Sequence, residues 1–214
     1  MDLSTPYGND PRKAVWGTAL RVFLVLPVIG LAGCGELTRQ GTGSSYLIVQ
    51  SFEAASGAEP NKFSGTLDSD VLTIVQEVAS TFGDVGKVRL ALGMKDPGGA
   101  ELPTSPTSAN FITVNRYNVR YMRADGRNTP GVDVPSGFDG AFTATVGTSA
   151  PEVSFELVRH IAKEQAPLRA LARNFAVVIS TITEVTFYGR DQTGREVSVT
   201  ARILINFGDF ADPN

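Results

Sequence analysis

The side chains with the most chemistry to offer are few in this sequence, and they are scattered. Histidine occurs once, at His160 beside Arg159, and cysteine once, at Cys34. A Ser-His-Asp triad needs its histidine next to an activated serine. No Gly-x-Ser-x-Gly run is present, so His160 reads as a surface or strand-edge side chain. One histidine and one cysteine do not make a zinc set. Oxygen ligands are better supplied. Asp125, Asn128, Asp133 and Asp139 lie in or beside one Gly/Pro-rich segment and would suit calcium, a hard cation. Their spacing is not that of an EF-hand loop and Arg127 intrudes, so turn-forming Asp and Asn are the competing reading. Asp209 and Asp212 are a similar, weaker pair near a terminus. Glu152, Glu156 and Glu164 would act as general acid and base only if the fold gathers them. No phosphate-cradling glycine motif occurs. No catalytic residue, metal or cofactor is assigned from these positions.

Cys34 has the most informative surroundings. Arg12, Lys13 and Arg21 precede an apolar run over 22–32 that ends in Leu31-Ala32-Gly33-Cys34. As a helix that run spans roughly 16 Å, about half a hydrocarbon core. It is short for a membrane span and fits the apolar region of a signal peptide behind a basic segment. These residues resemble the signal peptide and lipobox of bacterial lipoproteins. The resemblance implies a diacylglyceryl thioether on Cys34, cleavage between Gly33 and Cys34, and an acylatable new amino terminus. It covers about the first 36 residues. The basic segment is long and Arg21 abuts the apolar run, which points to a start codon downstream of Met1. A core helix with a buried cysteine is the competing reading, disfavoured by Gly30, Gly33 and Gly35. Two or three acyl chains hold a protein stably at a membrane, at about 0.8 kcal/mol per buried CH₂. The residue after the cysteine is Gly35, not the aspartate that marks inner-membrane retention in enteric lipoproteins. The expectation is therefore an exported, lipid-anchored envelope protein, on the outer membrane where the source has one.

Composition narrows the partners. The whole chain carries a net charge of −3. Removing residues 1–33 takes away three basic and two acidic residues and leaves it one unit more negative. That gives no electrostatic case for nucleic acid or anionic lipid. With no second cysteine there is no disulfide, so the core must suffice alone. The single tryptophan, Trp16, lies in the signal segment, which weakens a sugar-stacking role.

The organisation expected is a signal peptide over 1–33, a lipidated cysteine and flexible tether over 34–45, and an all-β domain over 46–214. Strands are predicted over 46–52, near 71–75 where a helical reading competes, and over 86–95 with Val88, Leu90 and Leu92 inward. Another runs over 111–123 with a bulge at Asn115–Arg116, where the apolar parity switches. Strands over 139–146 and 153–157 follow, then a short helix over 167–174 opened by Pro167. Arg159 to Lys163 reads as a solvated face. The last two strands, 177–189 and 196–207, are joined by Asp191-Gln192-Thr193-Gly194 as a hairpin with one buried face. That hairpin resembles the closing hairpin of bacterial immunoglobulin-like domains, which implies an immunoglobulin-like two-sheet sandwich with one short helix. Loops over 96–110 and 125–137 are the expected contact surfaces.

Three functions remain open at this point. The first is a non-catalytic binding or structural module with an envelope protein partner. The second is an envelope hydrolase or calcium-dependent module using loop carboxylates. The third is a carrier of an apolar ligand.

Overall fold

The computed structural model describes residues 43–210 and residue 212. Cys34, the apolar run and most of the tether lie outside them. The described chain is an all-β sandwich. Strands β1 (Ser45–Ala55), β5 (Asp84–Met94) and β11 (Glu152–Val158) form one antiparallel sheet in the order β1-β5-β11. The second sheet runs β10-β8-β12-β13-β2. Its strands are β2 (Thr66–Asp70), β8 (Ile112–Met122), β10 (Ala144–Val146), β12 (Ile179–Asp191) and β13 (Glu196–Gly208). All its pairings are antiparallel except β2 with β13, which is parallel. Two small hairpins stand apart: β3 (Thr73–Val75) with β4 (Val78–Ser80), and β6 (Gly98–Gly99) with β7 (Leu102–Pro103).

Alternation explains which faces meet. On β12, Thr181, Thr183, Val185 and Phe187 are buried and the residues between them face outward. On β13, Ala201, Ile203, Ile205 and Phe207 share the inward parity, as the sequence pattern predicts. The outer face carries cross-strand pairs instead: Glu184 with Arg202 at 2.7 Å and Thr186 with Thr200 at 2.9 Å. Val88 and Leu90 of β5 and Phe155 and Leu157 of β11 face them from the first sheet. Rings interlock between the sheets, with Phe155 edge-on to Phe187 at 5.4 Å and Tyr117 at 4.9 Å from Phe155. Tyr117 and Tyr121 on β8 donate their hydroxyls across the core to the carbonyls of Glu156 (3.1 Å) and Leu157 (2.7 Å). Burial, then the charge of Asp84, pushes the Tyr121 phenol pKa up, so it stays a donor.

The expected bulge is present. Tyr188 of β12 faces Arg116 and Gly189 faces Val114, which leaves Asn115 as the extra residue. Gly189 is required there: a Cβ would stand 2.6 Å from the Thr113 carbonyl oxygen and 3.0 Å from the Val114 Cα. Backbone cannot yield as a side-chain tip can. Gly189→Ala is expected to cost about 1–3 kcal/mol, read as a lowered midpoint in urea unfolding.

Three expectations need correcting. The strand over 139–146 is an edge broken in two: β9 (Phe138–Gly140) and β10 both pair with β8, and 141–143 lie between them. The 167–174 segment is not the α-helix. It makes a 3₁₀ turn at Leu168–Leu171, and the one short α-helix among the described residues is α1 (His160–Lys163). The loop over 96–110 is not structureless, since it holds the β6–β7 pair and a 3₁₀ turn at Ser108–Asn110. The strand expected near 71–75 is present as β3, not the competing helix, and its hairpin turns at Gln76 and Glu77 with φ of 50° and 65°. Non-glycine residues enter that region at a cost.

Candidate functional site

The strands define two ends of the sandwich. At the entry end, Gly43 and Ser44 lead into β1 beside the β12–β13 turn. A Cβ on Gly43 would lie 3.7 Å from the Arg195 guanidinium and 3.8 Å from Asp191 Oδ2. Asn110 and Lys95 bond Ser44 there at 2.8 and 3.0 Å. At the far end, β1 finishes, β5 and β12 begin, and β8, β11 and β13 finish. The loop over 96–110 precedes β8 and the loop over 125–137 follows it. Eleven residues of strand separate them, roughly 33 Å. They therefore do not form one contact surface.

The candidate metal residues are each committed elsewhere. Asp125 takes the Arg123 and Arg127 guanidiniums at 2.6 and 3.0 Å. The bonds from Arg123, then those from Arg127, hold its carboxyl below the usual range. Asn128 Oδ1 accepts the Arg123 backbone N–H at 2.6 Å, and Asp133 accepts that of Thr129 at 3.2 Å. Asp139 lies 4.0 Å from Arg116. No three His, Cys, Asp or Glu side chains gather among the described residues. Glu152 and Glu156 share the outward face of β11, paired with Lys87 (3.9 Å) and Arg159 (3.7 Å). Four residues of strand put them about 13 Å apart, beyond the range of a paired glycosidic acid and base. Glu164 is exposed after α1, and His160 is exposed at its start.

An open cavity of about 610 Å³ lies beside the bulge. Arg116, Asp139, Gly140, Gly189, Arg190 and Glu196 line it. Arg116 stacks on Tyr188 at 4.0 Å and reaches Glu196 at 3.4 Å. It is a polar, mixed-charge recess.

The densest chemistry is buried at the far end, among residues not named as site candidates above. Lys163, expected on a solvated face, is only 3% exposed. The last turn of α1 points it inward, where its ammonium meets Asp84 Oδ1 at 2.7 Å and the Asp70 carbonyl at 2.8 Å. Asp84 also accepts the Gly57 N–H at 2.9 Å and the Ser69 hydroxyl at 2.6 Å. Beside this pair the Asp70 carboxylate accepts from Thr73 Oγ1 (2.8 Å) and from the N–H groups of Phe210 (3.1 Å) and Leu72 (3.4 Å). Asp209 caps the Arg173 N–H, at a residue with φ of 61°. Every buried side-chain nitrogen and oxygen among the described residues is partnered.

Asp70 has a titration consequence. Burial pushes its pKa above 3.8, against the pull of the bonds from Thr73, Phe210 and Leu72. The folded state then holds this proton more tightly than the unfolded chain, so its contribution falls as pH rises from 3.8 through the raised value. Asp70→Asn is expected to remove that downward step. Urea midpoints of both proteins between about pH 3 and 7 check it: the variant gains relative to the parent on the neutral side.

No family model and no curated protein matches this sequence. Among solved structures, the X-ray structure of Northeast Structural Genomics Consortium target SoR45 aligns with 77% of this chain and 86% of that one. The identity is 12% and the TM-score 0.31. The functional reading rests on the chain's own geometry. No helix among the described residues is long and apolar enough to cross a membrane.

Proposed function

We propose that the chain is a lipid-anchored envelope protein, held through Cys34, whose immunoglobulin-like domain is a binding or structural module with its contact surface at the far end. The observation that carries this reading is the separation of the two ends. The chain from Cys34 joins β1 at the entry end, beside the β12–β13 turn. Three large apolar side chains stand exposed at the other, Val78 at 63%, Val132 at 66% and Phe175 at 74%, against Leu102 at 83% on the 96–110 loop at the entry end. Several exposed apolar side chains near one another are typical of contact surfaces. The immunoglobulin-like assignment draws support from strand order. The first, fifth and eleventh strands make one sheet, and the last two strands with β8 make the middle of the other. The module is favoured over a carrier by two separate sheets with rings interlocked between them, and over a hydrolase by carboxylates that stay apart.

The test uses the full chain in its native bacterial membrane with a photo-crosslinking residue at position 78, 132 or 175, against position 200 on the sheet face. The expected outcome is an amino-terminal peptide starting at lipid-modified Cys34. One envelope protein should crosslink from the far-end positions and not from position 200. An unlipidated peptide beginning upstream of Cys34 would remove the anchor, and equal capture from position 200 would remove the far-end surface.

A further inference from the structure

Asp84 and Lys163 place a carboxyl electrophile and an amine nucleophile in contact in the buried interior. The two side chains are 0% and 1% exposed and meet at 2.7 Å. The groups around them hold both partners in place. The Asp70 carbonyl fixes the amine at 2.8 Å. Ser69 donates to Asp84 Oδ2 at 2.6 Å, where negative charge would develop during attack on Cγ. Gly57 N–H holds the other oxygen, Oδ1, at 2.9 Å. We propose that Lys163 Nζ and Asp84 Cγ become joined by an intramolecular amide, making this pair a self-modification site.

The step balances without any outside reagent. One ammonium proton passes to Oδ1 across the existing hydrogen bond, leaving a neutral amine and a neutral carboxyl. Nζ then attacks Cγ, with charge building on Oδ2 against the Ser69 hydroxyl. The second proton leaves Nζ for Oδ1 as the Cγ–Oδ1 bond breaks, and Oδ1 departs as water. Nζ keeps one hydrogen as an amide N–H facing the Asp70 carbonyl. Oδ2 remains as the amide carbonyl, still accepting from Ser69. Two considerations favour the step. Well-oriented intramolecular partners reach effective molarities of roughly 10⁵–10⁸ M, which lowers the barrier to attack. The amide also replaces two buried charges, each costly to desolvate, by one neutral hydrogen-bonded group. The bond would tie the first residue of β5 to the last residue of α1, 79 residues on.

Tryptic mapping of the full chain, purified from the expressing bacterium and digested after denaturation, decides it. An acylated Lys163 is not cut, so the expected product is a branched peptide of 63–87 joined to 160–169. Its mass is lower than the sum of its two arms by one water. Full recovery of the linear 63–87 and of the free tetrapeptide 160–163 would overturn the proposal. Lys163→Arg keeps the cation but forms no such amide and should abolish the branched species; its persistence would also overturn the assignment. Ser69→Ala removes the donor to Oδ2 and should slow linkage roughly 10²-fold, followed as linked fraction against time after synthesis. Linkage at the parent rate would overturn the step as written.

Discussion

Lys163→Met should lower the unfolding free energy by about 3–5 kcal/mol, one of the largest effects of any single substitution here. The substitution keeps most of the apolar stem and removes only the charged head. What remains is a carboxylate with no exposed surface, still holding Ser69 and Gly57 but without its cation. The loss follows whether the contact is an ion pair or an amide, because methionine removes either. Denaturant unfolding monitored by tyrosine fluorescence or circular dichroism measures it. The double variant Asp84→Leu/Lys163→Met separates causes. With neither charge present the penalty for an orphaned carboxylate disappears, so that part of the loss should be recovered. The remainder reflects the lost link between Asp84 and Lys163 and the Ser69 hydroxyl and Gly57 N–H, which would lack their acceptor. A double variant no more stable than Lys163→Met would show that the orphaned charge is not the source of the loss.

Phe187→Ala is the second large effect, at about 3–5 kcal/mol. Phe187 has no exposed surface and packs at 5.4 Å from Phe155 and 6.1 Å from Phe142, so its ring bridges the two sheets and the loop between β9 and β10. Truncation leaves a hole lined by these rings and by backbone that is fixed in the β8–β12–β13 ladder, which limits collapse. Since a domain of ordinary stability holds about 5–15 kcal/mol, this one change consumes a large part of it. A midpoint shift much smaller than that for a surface control such as Thr200→Ala plus 2 kcal/mol would mean that the neighbouring rings refill the space.

What the sequence disclosed follows the reach of its local signals. Strand alternation is local, so β1, β5, β8, β11 and the β12–β13 hairpin were legible, and a parity break sufficed to place the bulge at Asn115. Nothing local distinguishes a continuous edge strand from the broken β9–β10, because the interruption at 141–143 depends on how the edge meets β8. The parallel partnership of β2 with β13 is equally invisible, being set by a chain separation of well over a hundred residues. The far-end cluster was half legible. Asp84 continues the inward parity of Gly86, Val88 and Leu90, so extending that pattern by two residues places a carboxylate inside. Lys163 offered no such signal: a four-residue helix has too little periodicity to show a buried face. The loops at 96–110 and 125–137 were legible as loops, but their separation to opposite ends became apparent only once β8 was a single unbroken strand.

The separation of the two ends also has a mechanical side. The chain enters β1 at Ser45 and that strand runs the length of the sandwich to Ala55, registered against β5 from Met94 to Val85. In an antiparallel pair the ladder hydrogen bonds lie perpendicular to the strands. A pull between the chain leading into Ser45 and anything gripping the far end therefore acts along β1, across those bonds. It loads the ladder in shear, all rungs at once, instead of peeling them one by one. A domain loaded in this way yields to force only when the whole strand slips.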